Sequence, residues 1–143
     1  MEIKIIENKN EWESFLLNCK EKSFLQSWAW GEFQEKAGLP AGRQGNRIWR
    51  LGIFLSSVAS AKEDDGSQLV AVVLVVKIKA KRGTFLLVQH GPSVMEHRTH
   101  NIKQVIDILL NKLRELGKQE GAAFIRIAPL FERNEENIKI FKK

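Results

Sequence analysis

The stretch LVAVVLVV at residues 69–76 is the longest unbroken apolar run in the chain, and it narrows the fold more than any other feature. Eight residues are strand length, well short of the roughly 18 apolar residues that suggest a membrane-crossing helix. Valine predominates, and β-branched residues suit a pleated backbone. The run passes into the alternating sequence KIKAK, so residues 69–81 are expected to form one long strand. Arg82-Gly83 then turns the chain into TFLLVQHGP (84–92), a second strand, and IWRLGIFLS (48–56) precedes them as another. The polar segment 57–68 between strands carries Asp65-Gly66, a hairpin-turn signal, and is expected to be a hairpin loop.

Helical spacing surrounds this meander. EIKIIE (2–7) alternates as a first strand, and NKNEWESFLLNCKEK follows as a helix capped by Asn8 or Asn10, with Trp12, Phe15, Leu16 and Cys19 on one stripe. Ser27 caps a second helix running to about Ala37, with Gly38 as its stop. Residues 39–47, LPAGRQGNR, read as an inserted loop. The clearest helix is 101–120, where Ile102, Val105, Ile106, Leu109, Leu110, Leu113 and Leu116 recur with helical period; Asn101 and Gln104 resemble a capping box and Gly121 is the stop. AFIRIAP (123–129) is a further strand, and 134–143 begin a last helix with no stop signal after Phe141. The order β-α-α-β-β-β-α-β-α predicts an α/β (α+β) fold, a mixed sheet with helices on its faces, C-terminally incomplete.

At 143 residues with no repeat or linker, the chain is expected to be a single domain over 1–143. With 43% hydrophobic and 28% charged residues, whole-chain disorder is excluded. The single cysteine, Cys19, rules out an intrachain disulfide and fits a reducing compartment. The N-terminus lacks a secretory pattern and no transmembrane segment is present, so a cytoplasmic protein that can meet the inner membrane surface is expected. The net charge of +6 favours anionic partners: phosphates, RNA or anionic lipid.

Several familiar chemistries fail on spacing. His97 and His100 stand three apart with no Glu between them and no cysteine nearby, so no metal is expected. Cys19 falls on an apolar helix face, where a thiol is inert, and no nucleophile elbow exists. AGRQGNR lacks the G-K-[ST] ending of a phosphate loop. Lys77, Lys79 and Lys81 share one face of their strand and Arg82 carries the charge into the turn; the row can meet a phosphate backbone or project into solvent. His90 ends a strand and reads as hydrogen-bonded in a turn or as a general base. On the second helix, Ala29, Trp30, Phe33 and Ala37 fall within one arc of about 100° and are expected to face the core. Trp28 lies about 160° from Trp30, on the face of Glu32 and Glu35, and Gln34 borders the core stripe. Trp28 either packs on a second layer or forms the wall of a ligand cleft.

Taken together, SFLQSWAWGEFQEKAG, RLGI, LVAVVLVVKIKAKRGTFLLVQHGP and AFIRIAP resemble the N-terminal part of the Fem family of peptidoglycan bridge-forming aminoacyltransferases. The resemblance implies a GNAT-like domain with a mostly antiparallel sheet, completed by a second domain or chain. It also implies transfer of an amino acid from aminoacyl-tRNA, acting as co-substrate with no cofactor, to the stem peptide of a UDP-MurNAc-peptide or lipid-linked precursor. By the same resemblance Trp28, Gln34 and Lys36 are precursor contacts, with Gln34 standing where many members carry a precursor-binding Lys. Lys77, Lys79, Lys81 and Arg82 are contacts to the tRNA or the diphosphate. No residue stands out as the base that must take a proton from the attacking amine. Two other readings stay open: a non-catalytic module binding RNA or a partner chain, and a coenzyme-A-dependent acetyltransferase. The latter is disfavoured because PSVMEHRTHNIKQ (92–104), where a pyrophosphate cradle would lie, contains no glycine.

Overall fold

The long apolar strand is central and buried on both faces. The computed structural model describes residues 2–19, 23–36, 46–56, 67–81, 83–94 and 102–129. Its elements are β1 (Glu2–Ile5), α1 (Lys9–Leu17), a 3-10 turn (Phe24–Gln26), α2 (Trp28–Lys36), β2 (Ile48–Ser56), β3 (Ser67–Ala80), β4 (Gly83–Gln89), β5 (Ser93–Val94), α3 (Ile102–Glu120) and β6 (Phe124–Ala128). The sheet order is β1-β2-β3-β4-β6, with the short β5 also pairing with β3. All pairings are antiparallel except β4 with β6. A parallel pair needs a crossover, and α3 supplies it.

Alternation along β3 divides the core. Ala71, Val73 and Val75 face α3, where they meet Leu51, Ile53, Leu86, Val88, Val105, Leu109, Leu113 and Leu116. Val72, Leu74 and Val76 face α1 and α2, with Ile6, Trp12, Phe15, Leu16 and Cys19. A run apolar at every position is what such two-sided cover requires. The register shifts at Ile53/Phe54, whose partners are Ala71 and Leu69, leaving Val70 as the extra residue of a bulge.

The sequence expectations hold for most elements. The extra pieces are the 3-10 turn and β5: the strand expected over 84–92 breaks after Gln89 and resumes at Ser93. β3 starts earlier than expected, pairing Ser67 with Ser56 and Gln68 with Leu55, because the hairpin closes further out along both strands. Arg82, His97, His100, Asn101, loop residues 39–45 and 57–66, and the helix expected at 134–143 lie outside the described residues.

The break in β4 is filled by a side chain. Pairing of β4 with β3 runs from Ala80–Gly83 to Val76–Leu87, and β5 rejoins β3 at Ala71 and Val72. Between these stretches, fully buried Gln26 accepts a hydrogen bond from Leu74 N at 2.8 Å through Oε1 and donates Nε2 to Gln89 O at 2.6 Å. Its amide thereby stands in for a missing rung. A Cβ at Gly91 would lie 2.8 Å from the Gln26 amide carbon, so that close approach needs glycine. The Gln26 backbone is held as well, its carbonyl accepting from Trp12 Nε1 at 2.8 Å.

Replacing Gln26 by Leu keeps most of the volume but orphans Leu74 N–H and Gln89 C=O. We expect a loss of about 2–5 kcal/mol, read as a lowered urea midpoint with an unchanged m-value. An effect below about 1 kcal/mol would show that water or a shifted β4 replaces the amide.

Candidate functional site

α2 presents a different face to the sheet from the one its apolar residues suggest. Trp30 and Phe33 were expected in the core, yet Phe33 is 45% exposed, Ala29 is exposed, and the buried position is Gly31. The cause lies beneath the helix. Arg50 projects from β2 under α2, and a Cβ at Gly31 would stand 2.7 Å from its Nη2 and 3.1 Å from Ile48 Cδ1. The helix therefore turns its glycine inward, and Trp28 and Trp30 flank that line, both partly buried against the α1-side core. The helix start is fixed by Ser27 Oγ, which accepts from Trp30 N at 3.1 Å, and by Glu13 Oε1, which accepts from Trp28 N at 2.8 Å.

This rotation builds a cleft of about 280 Å³ between β1, β2 and α2, lined by Ile5, Glu7, Trp28, Glu35, Ile48 and Arg50 among others. The Arg50 guanidinium carbon lies 3.7 Å from the Trp28 ring centroid, a close cation–π contact. Its Nη2 donates to Trp28 O at 3.1 Å and lies 3.8 Å from Glu35 Oε1. The buried Nε has no hydrogen-bond partner among the described residues. Burial pulls the Arg50 pKa below its usual value, opposed by Glu35 and then Glu32; the ordinary value is so high that the guanidinium stays charged. Trp28 also meets Trp12 edge-on at 6.3 Å. The site thus offers an aromatic wall, a desolvated cation and carboxylates at its mouth.

The other residues singled out from sequence do not all gather here. Gln34 faces away from the cleft lining: its Oε1 accepts from Asn46 Nδ2 at 2.8 Å, and its backbone carbonyl accepts from Asn46 N at 2.7 Å. Lys36 is exposed on the last turn of α2. On the opposite face of the sheet, Lys77 Nζ pairs with Glu120 Oε1 at 3.1 Å, and Arg47 Nη1 reaches Glu120 Oε2 at 3.0 Å while its guanidinium lies over Trp49 at 5.0 Å. Lys79 and Lys81 are exposed. His90 sits in a left-handed turn at φ 54°, its Nδ1 2.9 Å from Ser23 Oγ, as a turn histidine should. Cys19 is buried, with Sγ donating to Phe15 O at 3.4 Å.

Sequence reasoning passed over Arg50, Glu120 and Gln26. Arg50 left one signal, a charged residue inside the apolar strand IWRLGIFLS; Gln26 stands first in the Q-S-x-x-W-G pattern but was given no role, and Glu120 looks like an ordinary surface residue in sequence. Among the described residues no cluster of His, Cys, Asp or Glu could hold a metal ion, and no helix is long and apolar enough to cross a membrane.

Comparison with known proteins adds identity to this geometry. A model of the FemAB family matches residues 8–142. The crystal structure of FemX superposes with a TM-score of 0.69 at 19% identity, over 98% of this chain and 30% of that chain. A crystal structure of a probable acetyltransferase gives 0.61 at 12% identity, covering 99% of this chain and 86% of the other. An aminoglycoside acetyltransferase from an uncultured soil metagenomic sample gives 0.50 at 15%, covering 99% and 89%. No curated protein matches. At these identities the structural likenesses establish the fold, a GNAT-like mixed and mostly antiparallel sheet flanked by helices, and the chain spans about 30% of the FemX chain.

The arginine-centred and lysine-centred clusters each carry a measurable expectation. Gly31→Ala in an unobstructed helix would gain up to about 1 kcal/mol. Here it should cost about 1–3 kcal/mol in urea denaturation by driving Arg50 off Trp28, and the cost should vanish in an Arg50→Met background. The Glu120 carboxyl is held below its ordinary range chiefly by the Lys77 hydrogen bond, against a burial effect of opposite sign and with further lowering from Arg47. Its contribution is therefore present above the unfolded carboxylate pKa and lost as pH falls through the lower folded value. Glu120→Gln should be less stable than the parent at pH 7, with the gap in urea midpoints closing on acidification below about pH 4.3.

Proposed function

The chain belongs to the FemAB family, and on that premise we propose that it forms the N-terminal GNAT-like part of a Fem-type peptidoglycan aminoacyltransferase. The donor is aminoacyl-tRNA and the acceptor is the stem peptide of a UDP-MurNAc-peptide or lipid-linked precursor, met on the cytoplasmic side of the membrane. The family match over residues 8–142 is the observation that carries the reading. The Trp28–Arg50 cleft supports the reading, since the Q-S-x-x-W-G helix that carries the resemblance also forms one wall of that cleft.

The reaction asks little of the protein beyond binding. The acceptor amine, once neutral, attacks the carbonyl carbon of the aminoacyl ester. The amide C–N bond forms as the ester C–O bond breaks, and the proton the amine loses passes, by way of a base or a substrate phosphate, to the departing tRNA oxygen, which leaves as the hydroxyl. The contribution within reach of these residues is positioning. Trp28 is an apolar wall, and Arg50 is a fixed cation held against it in the cleft lining. Gln34 and Lys36 would meet the precursor along the outer turn of α2 rather than inside the cleft.

A second reading has one observation in its favour, the near-complete coverage of acetyltransferases of similar length. Titration of the purified chain with a UDP-MurNAc-pentapeptide and with acetyl-CoA separates the two. We expect calorimetric binding of the precursor, weakened roughly 5- to 30-fold by Trp28→Ala, a loss of about 1–2 kcal/mol. Saturable acetyl-CoA binding without precursor binding would overturn the proposal.

A further inference from the structure

α2 has two flanks, and one of them faces the cleft. Trp28 and Glu35 line that cleft together with Ile5 of β1, so this flank looks toward the β1 edge of the sheet. The other flank looks toward β4 and β6, and it carries a ladder of aromatic rings. Phe24 meets Trp30 edge-on at 5.5 Å, and Trp30 stacks on Phe33 at 5.0 Å. Phe24 is 68% exposed and Phe33 45%. Phe124 stacks on Phe85 at 4.7 Å and is itself 54% exposed. Register puts it on the same face of the sheet as α2: Phe124 pairs with Phe85, and Phe85 with Ile78, which packs against the α1-side core. Exposed rings grouped in this way mark an interaction surface.

Charge is segregated across the helix in the same sense. Glu32 and Glu35 lie about 100° and 160° round α2 from Phe33, and both act on Arg50. Lys36 lies about 60° from Phe33 and is exposed, as is Arg126, two residues along β6 from Phe124. The 3-10 turn, β3, β4, β5 and β6 contain no Asp or Glu at all. We propose that this flank, formed by Phe24, Trp30, Phe33 and Phe124 with Lys36 and Arg126 at its rim, docks on the surface of an anionic lipid bilayer. Protruding rings enter the boundary between headgroups and acyl chains, while the cations meet anionic headgroups. Tryptophan suits that boundary because its ring is apolar and its N–H is polar. The rings stand out from a helix and a turn, and a bilayer, unlike a folded partner or a small ligand, needs no matching concave surface to receive them. Contact is confined to the surface, since no helix among the described residues is long and apolar enough to cross. The inference goes beyond the aminoacyltransferase reading and does not depend on it.

The test sediments the full chain with vesicles of phosphatidylglycerol and phosphatidylcholine in equal parts, and with vesicles of phosphatidylcholine alone. We expect binding to the first, weakening as salt rises, and far less to the second. Phe24→Ser/Phe33→Ser alters only exposed side chains and should lower the partition coefficient at least about tenfold. Lys36→Ala and Arg126→Ala should each lower it about fivefold. Trp30→Phe keeps a ring but removes the indole. Brominated phospholipid should quench the parent's fluorescence, and Trp30→Phe should lose most of that quenching while still binding. The proposal is overturned by a parent that does not sediment, by equal binding to both kinds of vesicle, by a double variant that binds like the parent, or by quenching that survives Trp30→Phe. A dimer in sedimentation velocity that Phe24→Ser/Phe33→Ser dissociates, without vesicle binding by the parent, overturns it in favour of a second copy of the chain. If the double variant fails to fold, the quenching comparison decides.

Discussion

The Gln26 side chain is the contact on which the rest of the structure turns. A central strand flanked by two others must satisfy every backbone group it buries, and β4 leaves β3 before that is done. One buried amide completes the pairing by bonding Leu74 on β3 and Gln89 on β4. Because Gln26 also ends the 3-10 turn that leads into α2, the same contact fixes where that helix begins. Trp12 reinforces it from α1, through the Gln26 carbonyl. The position of the cleft-forming helix is thus set from inside the sheet, by a polar group in an otherwise apolar layer.

The two faces of the sheet use charge in different ways. On the α2 side Arg50 is enclosed, with its guanidinium against Trp28 and only a loose 3.8 Å approach to Glu35. The Arg50 Nε–H is buried without a hydrogen-bond partner among the described residues, a deficit that the contact with Trp28 does not meet. On the α3 side Glu120 is doubly paired, and the deficit is already met from within.

Most of the fold was legible because its signals are local. The period of α3, the continuous apolar run of β3 and the Asn8 and Ser27 caps all act within a few residues, and each element formed there, although α1 stops at Leu17, short of the expected stretch, and β3 starts two residues early. The candidate site was legible only in part. Trp28 could be picked out because no apolar stripe included it, but the same stripe placed Ala29 and Phe33 inward, where the helix instead buries Gly31. A hydrophobic periodicity weighs side chains and assigns a glycine nothing, whereas packing over a guanidinium weighs the space a Cβ would need. Lys77 was visible as one of a charged row, but its partner Glu120 lies 43 residues away and gives no local sign.

The sequence by itself determined the class of fold, the place of most of the described helices and strands, and, through Q-S-x-x-W-G and the long lysine-ended strand, the family. These are properties of short-range spacing, and spacing survives in a linear text. Only the tertiary structure decided which face of α2 meets the sheet, that Gln26 rather than a strand completes the ladder, that Arg50 lies beneath Trp28, and that Glu120 joins Arg47 to Lys77. Each of these depends on a buried polar or charged group finding a partner far along the chain. The free energy of such a group is set by whatever the fold brings within about 3 Å of it.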